Sequence, residues 1–374
     1  MESFFLPERL LLGPGPSQVH PRVLGALSRP CIGHLDPEFI RFMDDLRKLL
    51  RLAFQTDNAV TFAVSGPGSA GMEFCFVNLI EPGDEVIVCV NGVFGGRMAE
   101  NARRCGGKVT PVESEWGKPV DPDSVRKAID ANPGARVLAF VHAETSTGVR
   151  SDAAALCAMA KEKGILTIVD TVTSLGGIPV EIKKWGADAS YSGSQKCLSA
   201  PPGLSPVTIG EDALKKIRSR KTPCQSWFGD LSLLLGYWEG GTKRAYHHTA
   251  PINALFGLHE ALVMLLNEGL NESFTRHEKN HRMLVAGLEA LGMKMAVDSA
   301  WRLPQLNAVF PGDFEEGALR ERLLLEYGIE VGSGLGIFAG KLWRIGLMGH
   351  SSRHENVLRL LSALESCMRK KALI

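Results

Sequence analysis

Between Ser190 and Gly203 the chain reads Ser-Tyr-Ser-Gly-Ser-Gln-Lys-Cys-Leu-Ser-Ala-Pro-Pro-Gly, and its one charged side chain is Lys196. Surface lysines commonly stand among other charges on a helix face. This one lies among small and hydroxylated residues, just ahead of a Pro201-Pro202-Gly203 turn. Desolvation in such a place lowers the pKa of an ammonium group and makes the neutral amine a better nucleophile, able to form a Schiff base with a carbonyl. Upstream, Gly164-Ile-Leu-Thr-Ile-Val-Asp170 reads as a short buried strand closed by a carboxylate that calls for a cationic partner. A Schiff-base lysine, with an aspartate that keeps a pyridinium nitrogen protonated, is the pair required by pyridoxal phosphate (PLP).

Such residues need a scaffold to bring them together. From residue 61 to 209 apolar strand-like runs (60–64, 85–90, 136–141, 165–169, 189–192 and 204–209) alternate with amphipathic stretches such as 95–105, 121–130 and 152–163. This alternation predicts an α/β fold, a mostly parallel sheet covered by helices on both faces, with ligands bound where strand ends meet helix starts. After about residue 253 the pattern changes to long helical stretches at 254–267 and 274–291. Short strands at 307–310 and 342–345 follow, then a closing helix at 354–369, together a smaller C-terminal α+β domain. The expected division is an N-terminal arm over 1–20 with a tight loop at Gly13-Pro-Gly-Pro16, a large domain over 21–268 and a small domain over 269–374.

Composition narrows the class. In 374 residues, 42 basic side chains nearly cancel 41 acidic ones, so nothing argues for a nucleic-acid or anionic-membrane partner. Glycine and proline, 40 and 20 residues, fall between apolar runs instead of in low-complexity blocks, as in a loop-rich ligand-binding enzyme. The eight cysteines form no Cys-x-x-Cys pair, which fits free thiols in a reducing compartment. The N-terminus lacks the basic start and long apolar core of a signal peptide, no apolar run is long enough to span a membrane, and the last residues are not a peroxisomal signal, so a cytoplasmic enzyme is expected.

Other segments offer chemistry with more than one reading. Ser65-Gly-Pro-Gly-Ser-Ala-Gly71 follows a strand and opens a helix, where backbone N–H groups beside the small Gly68 and Ser69 favour a phosphate. Gly66–Gly71 also spells G-x-G-x-x-G, but Asp84 and Glu85 fall before the next strand, where a ribose-binding acid should close it. His277-Glu-Lys-Asn-His281 spells H-E-x-x-H, yet Arg276, Lys279 and Arg282 mark a solvated helix more than a zinc site. His247-His248 gives too few ligands for a metal, and none is expected. Asn271-Glu-Ser273 is a glycosylation sequon only in a secreted chain.

The segments Val169-Asp-Thr-Val-Thr-Ser-Leu-Gly-Gly177 and Tyr191–Gly203 resemble the cofactor site of class V aminotransferases, above all the alanine–glyoxylate and serine–pyruvate type. The likeness runs from Leu11-Leu-Gly-Pro-Gly-Pro-Ser17 to Trp343-Arg-Ile-Gly-Leu-Met-Gly349. It implies PLP fold type I, with a mostly parallel seven-stranded sheet in the large domain, and a homodimer with shared active sites. By the resemblance Lys196 holds PLP, Asp170 pairs with its ring nitrogen, Phe94 and Val172 cover the two ring faces, and Thr145 lies by the phenolic oxygen. Pro67, Gly68, Ser69 and Gln195 would serve the phosphate, with Tyr246 and Thr249 completing the site of the neighbouring subunit. Arg344 would anchor the substrate carboxylate through its planar fork, beside a small pocket bounded by the loop that holds Gly15.

The implied reaction moves the amino group of a small amino acid, alanine or serine, to glyoxylate or pyruvate by a ping-pong mechanism. Phe94 and Ser69 stand where the mammalian alanine–glyoxylate pattern has tryptophan and histidine, which leaves the substrate pair open. Three rivals are a desulfurase or lyase of the same class, a non-catalytic PLP-fold subunit, and a dinucleotide-dependent oxidoreductase. A desulfurase would need a histidine in place of Phe94 and a mobile nucleophilic cysteine. Cys197 fits poorly, since neighbours on an extended segment point apart.

Overall fold

The computed structural model describes residues 3–371 apart from 240, 242 and 243. After the N-terminal arm, helix α1 (Pro37–Phe54) is capped by Asp36, whose carboxylate accepts the Glu38 N–H at 2.8 Å. The chain then alternates strand and helix: β1 (Val60–Ser65), α2 (Gly68–Leu79), β2 (Glu85–Val90), α3 (Val93–Arg104), β3 (Lys108–Glu113), α4 (Pro122–Ala131), β4 (Ala135–Val141), α5 (Ala153–Glu162) and β5 (Leu166–Asp170). Strands β6 (Ala189–Tyr191) and β7 (Leu204–Ile209) follow. Among the described residues these strands make one seven-stranded sheet in the order β1-β7-β6-β5-β4-β2-β3, in which β7 alone runs antiparallel to its neighbours. Strands β4, β5 and β7 are buried nearly end to end, which is why they read as continuous apolar runs.

The seventh strand, β3, escaped the sequence pattern. Lys-Val-Thr-Pro-Val-Glu has no apolar run, because β3 is the edge strand, largely wet and tolerant of Pro111. Chain order explains where a ligand belongs. From β2 the chain moves outward to β3, then crosses back to place β4 on the other side of β2. The crevice at such a reversal opens at the C-terminal ends of β2 and β4. The loops after β1, β2, β4, β5 and β6 all leave from this same edge.

Helices α6 (Ile252–Glu268) and α7 (Leu270–Ala290) lead to a second unit: β8 (Lys294–Met295), β9 (Leu306–Phe310), α8 (Glu316–Tyr327), β10 (Gly332–Ser333), β11 (Trp343–Gly346) and α9 (His354–Lys371). Its strands form an antiparallel sheet in the order β8-β9-β11-β10. Among the described residues the two largest apolar cores are one built from residues between Val23 and Leu265 and another mainly from α7 onward, and a small third cluster gathers residues from Ala143 to Met348. The N-terminal arm joins the second core. Leu10–Leu11 pairs in parallel with Ile329–Glu330, and Leu10 and Leu12 are buried there. This pairing carries the Gly13–Pro16 loop to the gap between the two units.

The H-E-x-x-H helix is not solvated as its charges implied. His277 and His281 lie on the buried face of α7, while Arg282 stays exposed. His277 donates from Nδ1 to the Ser273 carbonyl at 2.7 Å, and its Nε2 accepts the Gly349 N–H at 2.9 Å. His281 Nδ1 donates to Asn307 Oδ1 at 2.6 Å. Burial holds His277 neutral, its pKa lowered to about 3. Both rings therefore tie the helix in place, and no metal-binding cluster occurs among the described residues.

Candidate active site

Strand β5 ends in Asp170, which is fully buried at the centre of the sheet edge. Its Oδ1 accepts the Val172 N–H at 2.8 Å and its Oδ2 accepts the Tyr191 hydroxyl at 2.7 Å. Tyr191 is the residue directly across the β5–β6 ladder. Burial dominates these stabilising bonds and lifts the Asp170 carboxyl to about 7, the condition of a carboxylate that lacks a cation.

Lys196 follows β6 on a chain of turns, not on the extended segment expected. Its amine donates to the Pro14 carbonyl of the N-terminal loop. Burial first, and then the Arg344 charge, lower it to about 8. The turn is tied down by Ser17, whose Oγ donates to the Lys196 carbonyl at 2.8 Å and lies 3.2 Å from Ser199 Oγ. Ser199 adopts a left-handed backbone at φ 55°, and its Oγ accepts the His350 N–H from the second unit at 2.7 Å. Gly15, at φ 103°, passes so close that a Cβ there would sit 2.7 Å from Lys196 Nζ.

Arg344 projects from β11 and is buried. Its Nε donates to the Ser333 carbonyl at 2.8 Å and Nη1 to the Thr145 carbonyl at 3.4 Å, and it forms no ion pair among the described residues. Burial lowers it to about 10. A buried guanidinium without a carboxylate, beside a reactive amine, is a site for an anionic substrate.

The phosphate end is assembled from loops. Pro67 precedes α2 without any side-chain cap, so the helix start at Gly68 and Ser69 presents backbone N–H groups. A Cβ on Gly68 would lie 3.2 Å from Val172 Cγ2, and one on Gly193 would lie 3.0 Å from Gln195 Oε1. Gly68, Val172, Gly193 and Gln195 thus converge. Gln195 Oε1 is buried and accepts no hydrogen bond among the described residues. Thr145 follows β4, with its Oγ1 2.5 Å from Thr173 Oγ1. Phe94 is the second residue of α3, and its half-buried ring carries the Arg97 guanidinium 4.9 Å from its centroid.

Tyr246 and Thr249 stand apart from this cluster within one chain. Tyr246 is 61% exposed, with its ring 5.2 Å from that of His34, and Thr249 is also exposed. Between them, His247 and His248 bond to each other at 2.8 Å, and His248 reaches Ser65 Oγ at 2.7 Å.

Three contributors were missed in the sequence: Tyr191, Glu144 and the Pro14 carbonyl. Tyr191 opens the Tyr191–Gly203 motif, and Glu144, a charged residue three positions after the apolar strand β4, was the signal available for the second. A backbone carbonyl leaves none.

The residues present fit PLP. Asp170 awaits a protonated ring nitrogen, the start of α2 offers phosphate donors, and a buried lysine of lowered pKa supplies the amine. This arrangement, at the C-terminal edge of a seven-stranded sheet with a second α/β unit behind it, defines a fold type I PLP enzyme. Residues 12–359 match the model of the family described as aminotransferase class-V, and the chain belongs to that family. It is 40% identical to the alanine–glyoxylate aminotransferase of Oryctolagus cuniculus, with 97% of this chain and 93% of that one covered. It is 37% identical to the (S)-ureidoglycine–glyoxylate transaminase of Bacillus subtilis, covering 97% and 91%. The solved alanine–glyoxylate aminotransferase of Nostoc superposes with a TM-score of 0.96 at 45% identity, covering 98% of this chain and 97% of that one. The protein is a PLP-dependent aminotransferase.

Two of the rivals lose their physical basis here. The G-x-G-x-x-G stretch follows an edge strand, β1, away from the central reversal where a dinucleotide would lie. Cys197 is buried among Ala143, Ile178, Leu303, Leu306 and Met348, its Sγ 3.5 Å from the Thr173 carbonyl and its thiol pushed up to about 12 by burial. The local turn, not strand alternation, sets it away from Lys196.

Proposed function

We propose that this aminotransferase takes the amino group of a small amino acid, alanine or serine, and passes it to glyoxylate, as a homodimer in which Tyr246 and Thr249 complete the partner's phosphate site. The single observation that carries the substrate reading is the buried, unpaired Arg344 beside Lys196, under the loop of Pro14 and Gly15. That loop passes close over Lys196, which favours a small substrate. The glyoxylate assignment draws on the relatives' shared acceptor, and the exposure of Tyr246 and Thr249 supports the dimer.

When bound, PLP supplies the aldehyde that the lysine and the donor amine engage in turn, and the ring that withdraws electrons from the donor Cα. The chain does the rest. Arg344 binds the carboxylate through its fork and orients the Cα–H toward Lys196. Lys196, its pKa lowered to about 8, is half in the neutral form near pH 8, and that form takes the Cα proton on Nζ. Asp170 would hold the protonated ring nitrogen, its carboxylate fixed in place by the Tyr191 hydroxyl and the Val172 N–H. Pro14 receives the lysine amine whenever it swings away from its partner.

The test is the visible absorption of the purified holoenzyme. L-alanine or L-serine should bleach the cofactor band, and glyoxylate should restore it. Restoration by pyruvate alone would refute the acceptor, and a band indifferent to both donors would refute the donors.

A further inference from the structure

Helix α3 begins without a cap of its own. Its N-cap residue is Gly92, which has no side chain to satisfy the first free N–H groups. Those groups are satisfied from a different strand. Glu144 Oε2 accepts the N–H of Phe94 at 3.2 Å and of Gly95 at 3.3 Å. Its Oε1 accepts the Ser146 N–H at 3.0 Å and the Ser146 hydroxyl at 2.6 Å. Ser146 Oγ in turn accepts the Val93 N–H at 3.0 Å. The fit leaves no space for anything else, since a Cβ at residue 92 would lie 2.5 Å from Glu144 Cγ, Glu144 Cδ and Ser146 Oγ.

Glu144 is completely buried, and nothing in the fold alone demands a carboxylate at that place. Were Glu144 replaced by a small residue, a serine, aspartate or asparagine at residue 92 would cap the helix locally. Instead, the two loops that flank the crevice at β2 and β4 are joined through this one side chain. Phe94 lies on one side of the joint and Thr145, between Glu144 and Ser146, on the other. We propose that Glu144 is a positioning residue, which with Ser146 caps α3 from the segment that follows β4 and thereby fixes the Phe94 ring over the cofactor. The inference rests on the reading of Phe94 as the residue that covers the PLP ring.

Chemistry makes the carboxylate hard to replace. Every partner of its two oxygens is a donor, so a glutamine turned either way aims its NH2 group at an N–H. The experiment is a double-mutant cycle on the full-length holoenzyme, with the PLP dissociation constant read by fluorescence titration and the first half-reaction read by absorbance. Glu144→Gln should weaken PLP retention by about tenfold, the scale of losing a charge-assisted hydrogen bond at a buried site. On the Phe94→Ala background the same substitution should change retention by no more than about twofold, because its route of action is gone.

Ser146→Ala should act in the same direction and vanish on the same background, and it decides the matter if Glu144→Gln does not fold. An equal loss on both backgrounds, or no loss on either, overturns the proposal. A parent protein that retains no PLP overturns the reading beneath it as well, which separates the two failures.

Discussion

Replacing Gly15 by alanine should disable this protein through two effects that can be measured apart. Gly15 has φ 103°, and an added methyl group would meet Lys196 Nζ at 2.7 Å and Cδ at 2.8 Å. Holding a non-glycine residue in so sparsely populated a backbone region costs about 1–3 kcal/mol, which lowers the unfolding free energy. The methyl group also pushes the amine out of its place beside the Pro14 carbonyl. A nucleophile held out of position reacts more slowly, by up to about 100-fold for a displacement of ~1 Å, so PLP capture by the apoprotein should slow by at least about tenfold. Urea unfolding reads the first effect and stopped-flow capture of PLP reads the second. Gly13→Ala is the internal control, since its Cβ would meet nothing closer than 3.7 Å, and it should stay within about 0.5 kcal/mol of the parent. A Gly15→Ala protein as stable as Gly13→Ala and as fast to capture PLP would refute the reasoning.

Lys196 attacks as the neutral amine, and its pKa is lowered to about 8, so the capture rate should climb with pH up to about 8 and level off above. Arg344→Met removes a neighbouring positive charge and should move that midpoint upward, and an unmoved midpoint would show that the two groups do not interact. Asp170 carries the opposite sign of linkage. Its folded-state pKa of about 7 lies above the ordinary value of about 3.9, so its contribution to apoprotein stability is full below pH ~4 and is lost as pH rises through 7. Urea midpoints of the apoprotein should fall from pH 5 to 7.5 by more than those of Asp170→Asn, and equal slopes would sink the assignment. Iodoacetamide should label the exposed Cys31 and leave the buried Cys197 unmodified by mass spectrometry. Labelling of Cys197 at a matching rate, with sulfide released from L-cysteine, would reopen desulfurase chemistry.

The chemistry was largely written in local sequence. Lys196 stood out because no other charge lies near it along the chain, and Asp170 because it closes an apolar strand. Six strands of the large sheet were legible for the related reason that a strand covered on both faces must be apolar throughout. The wet edge strand Lys108–Glu113 carried no such constraint and left no signal. What the tertiary structure alone decided is how distant segments meet. Hydrogen bonds join Lys196 to Pro14, Arg344 to Thr145 and Phe94 to Glu144, at separations of 182, 199 and 50 residues. It also reversed the reading of His277 and His281, because helical spacing places two histidines on one face but does not say whether that face meets water or a neighbouring segment. Local sequence reports what a residue type tolerates, whereas the partner that satisfies a buried donor or charge is chosen by packing between segments that are far apart along the chain.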